Sequence, residues 1–346
     1  MLPSPSFAVI SGAQVHEALA GREPEITGVV RETYRLHDAG RTINPDSYFL
    51  RFPDRPSSRI IALPASVGGA VSAHGIKWIS SFPENVAKGV PRASAVLILN
   101  DTETGYPFAC LEGSVISAAR TAASAALAAV ELGARRPGPL AEGRPVRVGF
   151  FGTGLIARFI HTYLAGNGIA FEEIGVHDSV REHAEGFAGY LRGAGAETVT
   201  LHDNPEDLVR SSDLIVFATV AGAPHVTDPA WFAHHPLVLH ISLRDLSPEI
   251  VLASYNVVDD VEHCMKADTS PHLAEQRVGH RDFVAGTLHD VLSGRTTPPA
   301  DRPVIFSPFG LGVLDLAVAR EVYERVVAAG TLQTVPDFFH EMKRYG

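Results

Sequence analysis

Cysteine is nearly absent. Only Cys110 and Cys264 occur in 346 residues, too few for a disulfide framework and suited to a reducing compartment. Excess basic charge is missing too. Twenty-nine Lys and Arg stand against 39 Asp and Glu, a formal charge of −10. That balance disfavours general nucleic-acid binding or attachment to an anionic membrane, both of which need a basic surface. The opening "MLPSPSFAVISG" has no basic region and one apolar run of four residues, so it is not a signal peptide. The longest apolar stretch, "ISAARTAASAALAAVELGA" (116–134), is mostly alanine and contains Arg120. It reads as a tightly packed helix, not a membrane span. Sixteen histidines form no H-E-x-x-H and no zinc-spaced cluster, and His234–His235 reads as a loop pair, so no metal is assigned. There is no G-x-S-x-G elbow, no G-x-x-x-x-G-K-[ST] loop and no internal repeat. These absences leave a cytoplasmic protein without nucleic-acid or membrane partners as the expectation.

What is present is two textures of chain, and the length favours two domains. Up to residue 115, "SYFLRF" (47–52), "SRIIALPASVG" (58–68), "HGIKWISSF" (74–82) and "SAVLILND" (94–101) are rich in β-branched and aromatic residues. "EITGVVRETYRLHDAG" (25–40) has helical spacing, and "DTETGYPFACLEG" (101–113) reads as a hairpin turning at Thr104–Gly105. "GARRPGPLAEGRP" (133–145) is a Pro/Gly/Arg-rich break. Beyond it, strands alternate with helices: "VRVGFF" (146–151), "LIARFIHTYLAG" (155–166), "FEEIGVHD" (171–178), "VREHAEGFAGYLRG" (180–193), "ETVTL" (197–201), "PEDLVRSS" (205–212), "DLIVFATV" (213–220) and "LVLHISL" (237–243). Such alternation predicts parallel βαβ units in a doubly wound sheet. "FGLGVLDLAVAREVYERVVAAG" (309–330) reads as one long helix. The expected architecture is α/β: a Rossmann NAD-binding domain over 135–310, and an α+β substrate-binding and dimerisation domain over 1–134, completed by a C-terminal helix at 311–346.

The sharpest motif is "GFFGTGLIARF", in which Gly152, Gly154 and Ala157 form G-x-G-x-x-A between a strand and a helix. Gly152 allows the tight turn, Gly154 admits a pyrophosphate to the backbone, and Ala157 keeps helix and strand close. Thr153, Leu155 and Ile156 complete this loop. Asp178, 24 positions after Gly154, ends the next strand where ribose hydroxyls would bind. It favours NAD over NADP, although Arg181, one helical turn on, offers a partner for a 2′-phosphate. The switch-point rule adds Thr219, Val220 and Ser242 at the carboxyl edge of the sheet.

Five cations mark the first domain: Arg51, Arg59, Lys77, Arg92 and Arg120. Most lie in or beside apolar strands, where a lone charge costs several kcal/mol unless it is paired. Each has an alternative as a solvated strand residue or a buried ion pair. For Arg59 the two readings stand level. Lys77 lies between Ile76 and Trp78, and Arg120 lies among Ala, Ser, Thr, Leu and Val. For these two an anionic ligand is the reading preferred, and a carboxylate-rich substrate facing a nicotinamide follows.

"GIKWISSFPEN", "DTETGYPFACLEGSVISAARTAASAALAA", "GFFGTGLIARF" and "FSPFGLGVLDLAVA" resemble, in this order, the ornithine cyclodeaminase/μ-crystallin family. Within it, "NPDSYFLRFPD", "GIKWISSFPEN", "RASAVLILND" and "HISLRDLSPEI" resemble the N-(2-amino-2-carboxyethyl)-L-glutamate dehydrogenases. The resemblance implies NAD-dependent oxidation of that conjugate and hydrolysis to 2-oxoglutarate and L-2,3-diaminopropionate, for siderophores or peptide antibiotics. It also implies a homodimer formed through the first domain's sheet. Lys77 and Arg120 match substrate-binding positions of the family, Arg120 and Thr121 belonging to its R-T-A-A element. Arg51 matches its other substrate arginine, with Arg59 open because the spacing to Pro64 differs. Gly310 matches a glycine near the nicotinamide. The cyclodeaminases carry a catalytic aspartate in G-x-D-x-x-G-x-x-E-L. Here "SLRDLSPEI" has no glycine, which argues against ornithine, and Asp245 is its only aspartate. Asp245 is the expected water-activating group, with Lys77 as the second proton-transfer candidate. The alternatives are an ornithine or lysine cyclodeaminase, a ketimine reductase, or a non-catalytic binding protein of the same family.

Overall fold

A computed structural model describes residues 6–340. In chain order the elements are β1 (Phe7–Ile10), α1 (Gly12–Leu19), α2 (Glu23–Asp38), β2 (Thr42–Ile43), β3 (Tyr48–Phe52), β4 (Arg55–Val67), β5 (Ala73–Ser81), β6 (Ala93–Asn100), β7 (Pro107–Glu112) and α3 (Ser114–Ala134). Then follow β8 (Val146–Phe151), α4 (Leu155–Gly166), β9 (Phe171–His177), α5 (Arg181–Gly193), β10 (Val199–Leu201), α6 (Pro205–Ser211), β11 (Leu214–Phe217) and β12 (Leu237–His240). The remainder are α7 (Pro248–Leu252), β13 (Tyr255–Val258), α8 (Val261–Cys264), α9 (Ser270–Val278), β14 (Val284–Thr287), α10 (Leu288–Leu292), β15 (Val304–Ser307), α11 (Gly312–Ala328) and β16 (Gln333–Val335). Contacts divide the chain into two compact units, with boundaries at Arg120/Thr121 and Gly310/Leu311. The first boundary falls inside α3, 14 residues before the 134/135 boundary that the sequence suggests.

The first unit holds an eight-stranded mixed sheet in the order β16-β1-β7-β6-β5-β4-β2, with β3 also paired to β4. Strand alternation gives its two faces different characters. Lys77, opposite Leu63 and Leu97, lies on the buried face, which continues through Leu111. The other face carries Tyr48, Leu50, Trp78 and Val96, all exposed. Helix α11 belongs to this unit and buries Val313, Leu314, Leu316, Ala317 and Val318. The expected C-terminal helix at 311–346 is shorter than the pattern suggests. It stops at Ala328, Gly330 takes a positive φ of 69°, and Gln333–Val335 then pairs antiparallel with β1. Gly330 ends the helix because it adopts the left-handed backbone without a Cβ clash. Residues 341–346 of that expected helix lie outside the described residues.

The second unit is an eight-stranded sheet in the order β10-β9-β8-β11-β12-β15-β13-β14, and all its pairings are parallel. This is the doubly wound α/β arrangement. Its strand order reverses between β8 and β11, so a ligand crevice belongs at the carboxyl ends of those strands. Strands β11, β12 and β15 are buried along their full length, as strands covered on both faces must be. The residues of α3 from Ala122 to Ala129 are buried as well. Helix α3 is apolar and long enough to cross a membrane by length and composition, yet two thirds of its most apolar window is buried within the protein.

Candidate active site

In the first unit, Lys77 of β5, Ser117 and Arg120 of α3, and Asp315 of α11 converge. Lys77 Nζ donates to Asp315 Oδ2 at 2.6 Å and to Ser117 Oγ at 3.3 Å. Arg120 Nε donates to Asp315 Oδ1 at 3.1 Å. Asp315 and Lys77 are buried, and 12% of the Arg120 side chain is exposed. This corrects the sequence reading, which set the buried-ion-pair alternative aside for Lys77 and Arg120. The acid is Asp315, a lone carboxylate in "GLGVLDLAVA", and the reasoning that singled out Arg120 in its alanine helix would have found it. Two cations share one carboxylate, so the cluster keeps one net positive charge. Burial lowers the Lys77 pKa from its ordinary 10.5 to about 8, with Arg120 adding repulsion and Asp315 opposing both. For Asp315 burial pushes upward, but Arg120 and Lys77 together hold the carboxyl below its usual range. The two directions agree physically: the acid gains from two partners while the cations divide one.

Arg51, Arg59 and Arg92 form a second group. Arg51 and Arg59 are direct cross-strand partners, and Arg59 in turn opposes Ser81. Arg92 Nη1 donates to Ser81 Oγ at 2.8 Å, and burial lowers its pKa. Arg51 is exposed and lies over the Phe49 ring at 4.9 Å. Ser81 and Lys77 share a face of β5 four residues apart, which separates the two groups by about 13 Å along the strand. The expected single clamp of Arg51, Lys77 and Arg120 is therefore two cationic groups, with Arg51 beside Arg59 and Arg92.

In the second unit, the chain turns sharply after β8. Gly152 has a φ of 81°, and a Cβ there would lie 2.6 Å from the Ala218 carbonyl oxygen. Gly154 is the N-cap of α4, has no side-chain cap, and has open space where a Cβ would stand. The N–H groups at Leu155 and Ile156 thus begin a helix whose first turn no side chain caps, which fits a pyrophosphate. Thr153 Oγ1 donates to Asp178 Oδ2 at 2.7 Å, and Val180 N donates to Asp178 Oδ1 at 3.0 Å. A cavity of about 240 Å³ is lined by Asp178, Ser179, Arg181, His202 and Asp203 among others. Arg181 pairs with Glu185 and Asp203, which reduces its value as a partner for a 2′-phosphate. The loop and Asp178 fit a dinucleotide with free ribose hydroxyls.

Asp245 lies at the carboxyl edge of the same sheet and is fully buried. Thr219 Oγ1 and Ser242 Oγ donate to its two oxygens. His225 Nε2 lies 3.0 Å from Oδ1, and His240 Nε2 lies 3.2 Å from Oδ2. Burial alone would raise its pKa, but the His225, His240 and Ser242 contacts hold it far below the ordinary carboxylate range. Asp245 was expected to activate water; the structure gives both of its oxygens to side-chain partners and leaves it no exposed surface. Thr219 and Ser242, expected to flank the cofactor, spend their hydroxyls on Asp245. Val220 is exposed. Thr121 is half-buried in α3. Gly310 N and Phe309 N donate to the buried Asp259 carboxylate at 2.7 and 2.9 Å, fixing the backbone at the expected nicotinamide glycine. His225, His240, Asp259 and Asp315 were not singled out from sequence. Among 16 histidines, His225 has no local signal, because only the fold sets it against Asp245.

The family model for the ornithine cyclodeaminase/mu-crystallin family matches residues 8–330. The N-((2S)-2-amino-2-carboxyethyl)-L-glutamate dehydrogenase of Staphylococcus aureus is 28% identical over 278 residues, 78% of this chain and 79% of that protein. The crystal structure of CmnK superposes with a TM-score of 0.86 at 30% identity, covering 97% of this chain and 100% of that one. An archaeal alanine dehydrogenase dimer with bound NAD gives a TM-score of 0.83 at 25% identity, covering 96% and 100%.

Proposed function

The chain belongs to the ornithine cyclodeaminase/mu-crystallin family, and from that premise we propose that it is an NAD-dependent dehydrogenase of an amino-acid conjugate. The substrate is N-(2-amino-2-carboxyethyl)-L-glutamate, and the products are 2-oxoglutarate and L-2,3-diaminopropionate, a building block for siderophores or peptide antibiotics. The observation that carries the choice is the surplus of positive charge on the buried face of the first sheet. Lys77 and Arg120 outnumber Asp315, and Arg92 donates to Ser81, with Arg51 in register with it two strands away. A substrate with three carboxylates satisfies both groups. Ornithine and lysine each carry one carboxylate, which leaves one of the two cationic groups without an anion, so the cyclodeaminase reading is the weaker alternative.

Gly152, Gly154 and the first-turn N–H groups at Leu155 and Ile156 hold the pyrophosphate, and Asp178, steadied by Thr153, takes the ribose. When bound, NAD supplies the acceptor for the hydride on the glutamate Cα. Lys77 and Arg120 grip one carboxylate, and the arginines around Ser81 take the more distant ones. Such positioning is the larger part of the protein's contribution to hydride transfer. The same reading includes a cytoplasmic homodimer, whose contact would be the exposed apolar face bearing Tyr48, Leu50, Trp78 and Val96.

The test mixes purified protein, NAD and the conjugate and follows absorbance of the reduced cofactor. Reduction with release of 2-oxoglutarate is expected. Ammonia release from ornithine, with no signal from the conjugate, would sink the proposal.

A further inference from the structure

Asp245 poses a question that the proposed reaction leaves open. Hydrolysis of an iminium needs a group that takes a proton from water and returns it to nitrogen. Asp245 is fully buried, hydrogen-bonded on both oxygens and held strongly ionised. The imidazole on its Oδ1 side is differently placed. The His225 side chain is 41% exposed, and Nε2 lies 3.0 Å from Asp245 Oδ1. Its Nδ1 has no hydrogen-bond partner among the described residues. The backbone is fixed on both sides of the ring. His225 N and Val226 N both donate to the Asp245 carbonyl oxygen, at 3.0 and 2.9 Å, and Val226 bridges to Leu246. Thr219 ties the cluster to the phosphate loop: it donates to Asp245, and its Cα would lie 3.1 Å from a Cβ on Gly152. His225 thus belongs to the carboxyl edge near the strand-order reversal, where ligands of such sheets bind.

Resting on the dehydrogenase reading above, we infer that His225 is the proton-transfer residue of the hydrolytic half-reaction and that Asp245 is its positioning carboxylate. An ionised, buried carboxylate accepting from one imidazole nitrogen fixes the tautomer, leaves the other nitrogen bare, and stabilises the imidazolium once formed. The titratable groups facing His225 are Asp245 and, across the carboxylate, His240. His240 is fully buried and bridges Asp245 to Ser307, so it braces the pair. Water oxygen bonds to the iminium carbon while its proton passes to His225 Nδ1, giving a neutral carbinolamine. The imidazolium returns that proton to the nitrogen. The C–N bond then breaks with its electron pair going to nitrogen, the hydroxyl proton leaves through His225, and the amine takes it up. One water and one iminium become one ketone and one ammonium, with no net proton left on the protein.

His225→Gln keeps a donor for Asp245 but has no basic nitrogen. It should lower kcat with the conjugate by about 10²–10⁴-fold, leave NADH binding and the melting temperature near wild type, and recover part of its rate with added imidazole. Wild-type kcat in this variant overturns the inference, as does a loss that imidazole does not rescue in folded protein. If wild type ignores the conjugate but reduces 1-pyrroline-2-carboxylate, the substrate reading falls, and His225 is then judged by its tautomer alone. A readout independent of turnover is imidazole nitrogen NMR. His225 should be protonated at Nε2 and bare at Nδ1, and Asp245→Asn should abolish that preference. An Nδ1–H tautomer in wild type overturns the inference.

Discussion

Asp315 and Asp245 are both carboxylates with no exposed surface, one in each unit, and their surroundings solve the same physical problem in opposite ways. Asp315 is met by two full charges, Lys77 and Arg120. Asp245 is met by hydroxyls and imidazoles. The first cluster is left with a surplus positive charge. With neutral imidazoles, the second keeps a negative one. A cluster of the first kind attracts an anion, and one of the second kind favours cationic character in a neighbouring group. The difference shows how burial alone fails to define a role: removing a partner from the first cluster strands charge, whereas removing one from the second strands a hydrogen bond.

Four substitutions or conditions would break or sharpen that contrast. Asp245→Asn should have the largest effect, a fall in kcat of about 10⁴-fold, because an amide no longer fixes the histidine tautomer; steady-state kinetics on folded variant checks it. Asp315→Asn strands two buried cations and should cost about 3–5 kcal/mol of stability, read from urea unfolding. If it costs no more than a surface substitution, the two-cation cluster is not held as described. Lys77→Met leaves Asp315 and Arg120 as a one-to-one pair. Stability should change by less than about 1.5 kcal/mol, while loss of a charged hydrogen bond worth about 1.5–3 kcal/mol raises KM roughly 10- to 100-fold; calorimetric titration of the conjugate and denaturation separate the two. The smallest effect is that of pH. Lys77 loses its proton near pH 8 in the folded protein and near 10.5 in the unfolded chain. KM should therefore rise above about pH 8. Between those two values the unfolded chain binds more protons, so this residue's contribution makes stability increase with pH. Asp315 works at the other end: its contribution is complete at neutral pH and is lost as pH falls through its lowered pKa. A KM unchanged from pH 7 to 10 would separate Lys77 from substrate binding.

The parts of this arrangement legible in the sequence are those with strong local signatures. "GFFGTGLIARF" joins a strand, a glycine turn and a helix, and it occupies that position in the fold. The strands around Lys77 alternate in character or punctuation, and β3 to β7 lie where the pattern puts them. By contrast, β13, β14 and β15 are four residues each. Segments this short show no period, and outside the longer apolar runs that made β11 and β12 legible they read like loop or helix fragments. Pairings at long separation were equally hidden. Lys77 and Asp315 are 238 positions apart, and nothing in "GIKWISS" names its acid. The sequence shows that Lys77 must be neutralised, and the fold shows that the neutralisation is shared and incomplete.

Strand β15 lies between β12 and β13 in the sheet, although β13 and β14 precede it in the chain. Helix α11, directly after it, belongs to the other unit. During synthesis, β13 and β14 therefore emerge with no seat in the sheet until residues 304–307 arrive, and the first unit waits for residues 312–328 to cover Lys77 and Arg120 with Asp315. Neither unit can mature early and independently on the ribosome. Both are completed within the one stretch 304–335, so a nascent chain halted before residue 304 carries an open strand edge in one unit and two unpaired buried cations in the other.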